Sequence, residues 1–277
     1  MKTMNKPIKR IISISDLSVF GKCSQTVAMP ILGSMGIEVC PVLTAYLSAH
    51  TAFENPVITD MTDSLKGCLE HLEALEVASD CVYTGYIYTA AQFPIIENFI
   101  GNAKTNGSVI ITDPVMADNG KLYFPFDEKT VKEMRKLCLF ADYITPNFTE
   151  ACFLAGYSVL DKVDLNLCEK LILRLNSLGI NGKIIITGVP FADGEKKIIA
   201  GFNGSAEAID CEYIEGDYCG TGDVFSSVFA GNIVNGKDYV TAAKAARDFV
   251  FEAVKETKSK NSPSRQGVLF EKIISEK

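Results

Sequence analysis

The chain has 277 residues, 47% of them hydrophobic and 22% charged, which is the balance of an ordinary globular protein with ample material for a core. Its 34 acidic residues outnumber 27 basic ones, giving a net charge of −7 with no Lys/Arg-rich run, and this argues against a nucleic-acid binder. Nine Cys without a C-x-x-C pair read as reduced thiols, and two His rule out a multi-His metal centre.

The chain starts with the basic segment MKTMNKPIKR, like the first part of a signal peptide, but the apolar run that follows is only about five residues long before Asp16. No stretch approaches the roughly 20 apolar residues of a membrane span. The expectation is a soluble cytoplasmic protein with no nucleic-acid or membrane partner.

Short β-branched runs at 11–15, 38–43, 81–84, 109–112, 143–145 and 183–187 predict strands. Most are continuously apolar, the pattern of strands buried on both faces. Between them the spacing predicts helices at 25–35, 62–75, 90–106, 127–139, 149–155 and 163–178. Two extended runs at 197–202 and 206–213 flank Asn203-Gly204, a hairpin signal. Helices at 221–235 and 238–256 follow, and the polar segment KETKSKNSPSRQG (255–267) predicts an exposed loop. The β-α-β-α order implies an α/β fold with a mainly parallel sheet, and no linker or repeat divides it, so a single domain 1–277 is expected.

In such sheets ligands sit at the carboxyl ends of the strands. Those ends carry Asp16, Thr44, Tyr86 with Gly85, Asp113, Asn147 and Thr187. The most informative segment is Cys219-Gly220-Thr221-Gly222-Asp223, which leads into an apolar helix. Small residues let a ligand approach the unpaired first-turn amides, which with the helix dipole favour an anion such as a phosphate. Asp223, in the same turn, has the chemistry of a general base for an attacking hydroxyl. Read alone, the turn could equally be a helix capped by Thr221 or Asp223. The chain has no G-x-x-x-x-G-K-[ST] and no G-x-G-x-x-G after the first strand, which excludes a P-loop enzyme and weakens a dinucleotide reading.

The G-T-G-D turn resembles the signature of the ribokinase superfamily, and within it the chain is similar to the pyridoxal kinases. Five further segments match in order: Val19-Phe20-Gly21; Pro41-Val42-Leu43-Thr44 with Ser48-Ala49-His50-Thr51; Thr84-Gly85-Tyr86-Ile87; Asp113-Pro114-Val115-Met116; and Thr145-Pro146-Asn147-Phe148-Thr149-Glu150. The resemblance implies a ribokinase-like three-layer α/β/α fold with at most a short hairpin flap. It implies a kinase that uses ATP and Mg²⁺ to phosphorylate the hydroxymethyl group of a vitamin B6 compound, generally as a homodimer. A monovalent cation requirement stays open.

By the same resemblance Asp223 is the base and Gly220, Thr221 and Gly222 form the anion hole. Asp113 and Glu150, with Asn147, organise Mg²⁺ around the ATP phosphates, and Thr187 contacts the nucleotide. Asp16, Thr44, His50 and Tyr86 build the acceptor side, and Cys219 is a candidate thiol for the substrate aldehyde. Asp16 departs from the pattern, since pyridoxal kinases usually carry Ser there and hydroxymethylpyrimidine kinases carry Asp. Hydroxymethylpyrimidine phosphorylation is therefore one alternative, and a non-catalytic vitamin-binding relative of the fold is another.

Overall fold

The buried aliphatic runs set the strands. In β1 (Arg10–Ser18) the side chains of Ile11, Ile12 and Ile14 are at most 1% exposed, so both faces of the strand are covered. The computed structural model describes residues 7–275; the basic start weighed above lies largely outside them, at 1–6. Backbone contacts divide the chain into two compact units, one built from the residues up to Val109 together with those from Ile214 onward, the other from Ile110–Tyr213.

The first unit continues with α1 (Gln25–Ser34), β2 (Glu38–Leu47), β3 (Ile58–Asp60), α2 (Thr62–Ala74), β4 (Cys81–Thr84) and α3 (Phe93–Thr105). Its strands lie in the order β4-β1-β2-β3, parallel except for β3, a short antiparallel edge that the sequence reading missed. Pro41 is tolerated in β2 because β3 pairs only with Ala45, Tyr46 and Leu47, so Pro41 has no ladder partner on that side. The helix expected over 90–106 starts as a 3₁₀ turn, Ala90–Gln92, and becomes α-helical with Pro94 in its first turn.

The first strand runs past its expected end at 15. Ser15 faces Leu43 while Leu17 faces Tyr46, so Thr44 and Ala45 of β2 together oppose Asp16 of β1. This bulge puts Asp16 inside the strand, where polar Ser15, Asp16 and Ser18 had read as a strand end. Bulges re-aim side chains, and they concentrate beside functional sites.

The second unit holds β5 (Val109–Thr112), β6 (Ala117–Asp118), β7 (Lys121–Leu122), α4 (Glu128–Cys138), β8 (Tyr143–Ile144), α5 (Phe148–Ala155), α6 (Leu165–Ser177), β9 (Lys183–Pro190), β10 (Lys196–Phe202) and β11 (Ser205–Asp210). Strands β5, β8 and β9 are parallel, and β10 and β11 extend the sheet antiparallel. The expected hairpin forms at Asn203-Gly204, whose φ angles of 50° and 79° are those of a type I′ turn. A second small hairpin, β6–β7, turns at Asn119-Gly120 with φ 49° and 75°. Its strands are too short for a periodic signal.

The chain ends in the first unit with α7 (Thr221–Val234), α8 (Tyr239–Ser259) and α9 (Glu271–Ser275). Helix α7 packs against α1 and α8 and is buried at nearly every position from Val224 on, which explains its apolar composition all round. The loop expected over 255–267 is largely exposed from 260 onward, but its first five residues belong to a helix. Helix α8 runs to Ser259, and Thr257 is fully buried, its Oγ1 donating to the Ala253 carbonyl and accepting from the Leu269 amide. Val268 and Phe270 are buried as well and anchor the turn that follows. The polar composition hid Thr257; Val268 and Phe270 lie just beyond the polar segment. Among the described residues no helix is long and apolar enough to cross a membrane.

Candidate active site

The residues expected at the acceptor and base positions all lie in the first unit. Asp16, at the bulge, is 4% exposed and accepts a hydrogen bond of 3.1 Å from Ser18 Oγ. Burial pushes its carboxyl above the usual range, and bonds from Ser24 and Ser18 partly offset this. Thr44, opposite it, donates from Oγ1 to the Tyr86 carbonyl at 2.8 Å, and the Tyr86 amide donates to Ser15 Oγ at 3.1 Å. The Tyr86 hydroxyl is pushed up by burial first and then by the charge of Asp16.

Asp223 sits in the first turn of α7 and keeps some surface exposure. Its carboxyl is nonetheless pushed up to about 7, chiefly by burial, with a further rise from Asp16 and an opposing hydrogen bond from the Ser24 amide. Ser24 thereby serves both carboxylates, its side chain Asp16 and its backbone Asp223. It does so in a conformation unusual for a residue with a Cβ, φ 48° and ψ −124°. Cys23 feels the charge of the same pair. Burial and then the charges of Asp16 and Asp223 raise its thiol well above the ordinary value. Neither Cys23 nor Ser24 carried a sequence signal, because what brings them in is the path of the loop after β1. Cys219 is half-buried, and its amide donates to the Ser264 carbonyl at 3.3 Å.

The turn itself is open at its amides. Helices α4, α5, α6 and α8 each start with a side-chain cap, from Asp127, Asn147, Asp164 and Asp238. Helix α7, like α1, α2 and α3, has no side-chain cap; its cap residue is Gly220 with φ 78°, and Thr221 Oγ1 donates to the Tyr218 carbonyl at 3.1 Å. First-turn amides of this kind are the donors an anion uses.

The residues expected to hold metal and nucleotide lie in the second unit. Asp113 follows β5 and Asn147 lies just after β8, whereas Thr187 lies within β9, which runs past the strand end expected at 187 to Pro190; the three strands neighbour one another in that order, and Asn147 bridges to Thr187. Glu150 is 3% exposed, and its carboxylate accepts from the amides of Met116 at 3.0 Å and Asn147 at 2.9 Å and, more weakly, from that of Ala117. In return the Glu150 amide donates to Asn147 Oδ1 at 2.9 Å, completing a capping box, and Asn147 Nδ2 donates to the Ala117 carbonyl at 2.7 Å. Burial pushes Glu150 up to about 8 against these bonds, and Asp118 adds to the rise. The Cys138 thiol is raised by burial and by both Glu150 and Asp113, so the two carboxylates share one neighbour. Among the described residues no three His, Cys, Asp or Glu gather as a metal cluster. Two buried carboxylates with hard oxygen donors suit Mg²⁺, which usually takes one or two carboxylates and completes its shell with water and phosphate.

With this geometry in place, the comparison with known proteins decides the family. The phosphomethylpyrimidine kinase family model matches residues 32–267. The chain belongs to that family. It is a kinase. It is 36% identical to a Bacteroides thetaiotaomicron protein assigned as a phosphomethylpyrimidine kinase and solved in a crystal form with pyridoxal, with a TM-score of 0.92 over 97% of this chain and 95% of the other. It is 28% identical to the solved pyridoxal kinase of Lactobacillus plantarum, with a TM-score of 0.87 over 97% and 96%. Among curated sequences it is 26% identical to the pyridoxal kinase of Dictyostelium discoideum, covering 93% of this chain and 90% of that one. The resemblance to pyridoxal kinases and the ribokinase-like α/β fold therefore stand.

Within this kinase the two glycines of the turn differ. A Cβ on Gly220 would lie 2.3 Å from the Lys22 carbonyl oxygen in addition to requiring a left-handed backbone, whereas a Cβ on Gly222 meets nothing within 4 Å. Gly220→Ala is expected to destabilise the protein by about 1–3 kcal/mol, and Gly222→Ala to leave stability within about 0.5 kcal/mol. Chemical denaturation of both variants checks this, and equal losses would contradict the distinction.

Proposed function

We propose that this kinase phosphorylates the hydroxymethyl group of pyridoxal, pyridoxine and pyridoxamine at the expense of ATP, with Asp223 as the general base. The single observation that carries the assignment of the base is the placement of Asp223 in the first turn of α7 after the left-handed Gly220, held by the Ser24 amide and raised to about 7 chiefly by burial. A base is most effective when its pKa lies near the working pH. The pyridoxal in the crystals of the 36% identical relative supports the acceptor class.

In this reading Asp223 takes the proton of the acceptor hydroxyl as its oxygen attacks the γ-phosphorus in line. The Ser24 amide holds the carboxylate in place. The amides of Thr221, Gly222 and Asp223 stabilise the charge that spreads over the transferring phosphoryl oxygens. Gly222, whose missing side chain leaves open space, lets the phosphoryl group approach. Asp16 accepts a hydrogen bond from the acceptor ring, Thr44 and Tyr86 shape its wall, and Cys219 lies on the approach to the turn. In the second unit Asp113 and Glu150 would hold Mg²⁺, Asn147 would orient its waters, and Thr187 would contact the nucleotide. Bound there, the metal would neutralise phosphate charge and favour the ionised form of Glu150.

Hydroxymethylpyrimidine is the second reading. Asp16 and the family model favour it, since the same base, turn and metal carboxylates would serve either ring. Comparing kcat/KM for the three B6 vitamers and hydroxymethylpyrimidine separates the two, and a pyrimidine preference of about tenfold or more would replace the first reading.

Asp223→Asn is expected to lower kcat by about 10²–10⁴-fold with little change in nucleotide affinity. Turnover within a few-fold of wild type would remove Asp223 from the mechanism. The pH dependence has a definite sign. A base must be ionised, so kcat/KM is expected to rise with pH through about 7 and level off above it. Asp16→Asn removes a negative neighbour, so the acid limb is expected to move to lower pH, and a limb that stays in place would break the proposed coupling.

A further inference from the structure

Three consecutive carbonyls near the end of the chain are shared among three separate loops of the first unit. In the 3₁₀ turn Ser264–Gln266, the Ser264 carbonyl accepts from the Cys219 amide at 3.3 Å. The Arg265 carbonyl accepts from His50 Nε2 at 2.7 Å, and the Gln266 carbonyl accepts from the Lys22 amide at 3.0 Å. Cys219 precedes Gly220 and Lys22 precedes Cys23 and Ser24, so one turn ties together the segments that present Asp223 and Ser24. The tie is close-packed as well as hydrogen-bonded, because a Cβ on Gly267 would come within 2.7–2.9 Å of Lys22 atoms.

His50 is the only side chain among these three contacts, and its ring is held from every side. Nδ1 accepts from the Ala52 amide at 3.3 Å, which with the bond to Arg265 assigns the neutral tautomer protonated at Nε2. Burial favours that neutral form. The ring lies on Gly21, where a Cβ would stand 2.1 Å from His50 Cδ2, and Phe53 packs on it at 4.8 Å between centroids. The residue is 8% exposed, and both ring nitrogens are engaged by backbone. No polar atom of His50 is left for an aldehyde or a ring substituent.

We infer that His50 is a positioning residue: by pinning the Arg265 carbonyl it fixes the Ser264–Gln266 turn, and through that turn the segments at 22–24 and 219–223. The inference rests on the reading of 219–223 as the catalytic turn. It differs from the resemblance-based role in one measurable respect. A histidine that touched the aldehyde would act on pyridoxal alone, whereas a pin acts on every acceptor equally. Displacements of about 1 Å at a catalytic group can cost about 10²-fold in rate.

The test compares His50→Ala with His50→Gln, whose amide nitrogen can still donate to the Arg265 carbonyl. His50→Ala is expected to lower kcat about 10–100-fold for pyridoxal, pyridoxine and pyridoxamine alike, with the KM for ATP within about twofold of wild type. His50→Gln is expected to recover most of that loss. A loss confined to pyridoxal, a Gln variant no better than Ala, or an Ala variant within about twofold of wild type would each overturn the inference. Hydrogen exchange gives a readout that does not depend on turnover. The amides of Lys22 and Cys219 are expected to lose protection in His50→Ala while those of Ile11 and Ile12 keep theirs, and unchanged protection at both would overturn it. Should His50→Ala fail to fold, Gly267→Ala strains the same turn from its other side, and full activity there would overturn the inference. Full turnover in Asp223→Asn would instead remove the catalytic reading and leave the exchange result standing.

Discussion

Two acidic side chains, Asp16 and Asp223, are held around one loop of the first unit. Asp16 and Asp223 are both held above the ordinary carboxylate range, chiefly because the protein around them disfavours charge. Such groups are tolerated only where hydrogen bonds offset part of the cost. Ser24 supplies bonds to both, in a backbone conformation that glycine adopts more readily than serine. Local strain and perturbed titration thus meet at one residue, which is the combination expected of a site kept for chemistry rather than for stability.

The second unit solves a similar problem differently. Glu150 is as buried as Asp16, but three backbone amides converge on its carboxylate and its own amide is capped in return. The arrangement fixes the start of α5 and the β6–β7 hairpin together. It also explains how a helix-capping glutamate and a metal-organising one can be the same residue: the capping bonds hold the carboxylate still, and an oxygen has lone pairs beyond the one that each amide takes. At α7 no capping side chain is present and the cap residue is the left-handed Gly220, so its first amides are left to themselves.

The ordered motifs were legible because each combines residue types with a strict local demand. Gly220 needs a left-handed backbone, Asn203-Gly204 needs a type I′ turn, and the continuous isoleucine runs need burial on both faces. What could not be read was set by contacts distant in the chain. Asp16 looked like the residue after a strand, and only the pairing of β1 with β2 shows it inside a bulge. His50 looked like a ligand residue, and only the return of the chain at Arg265 occupies its ring nitrogen. The polar segment looked like loop throughout, and only the packing of Thr257, which stands among lysines and a glutamate, shows that a helix runs into it.

By itself, then, the sequence determined the α/β class, the order of the longer strands and helices, the hairpin at Asn203-Gly204 and the chemical identity of the kinase motifs, since these follow from periodicity, turn conformation and short-range composition. The tertiary structure alone decided which polar groups are spent on the backbone and which stand in a low-dielectric setting with a raised pKa. That division depends on which segments meet in space, and the energy of a buried charge or hydrogen bond is a property of its surroundings rather than of its neighbours in the chain.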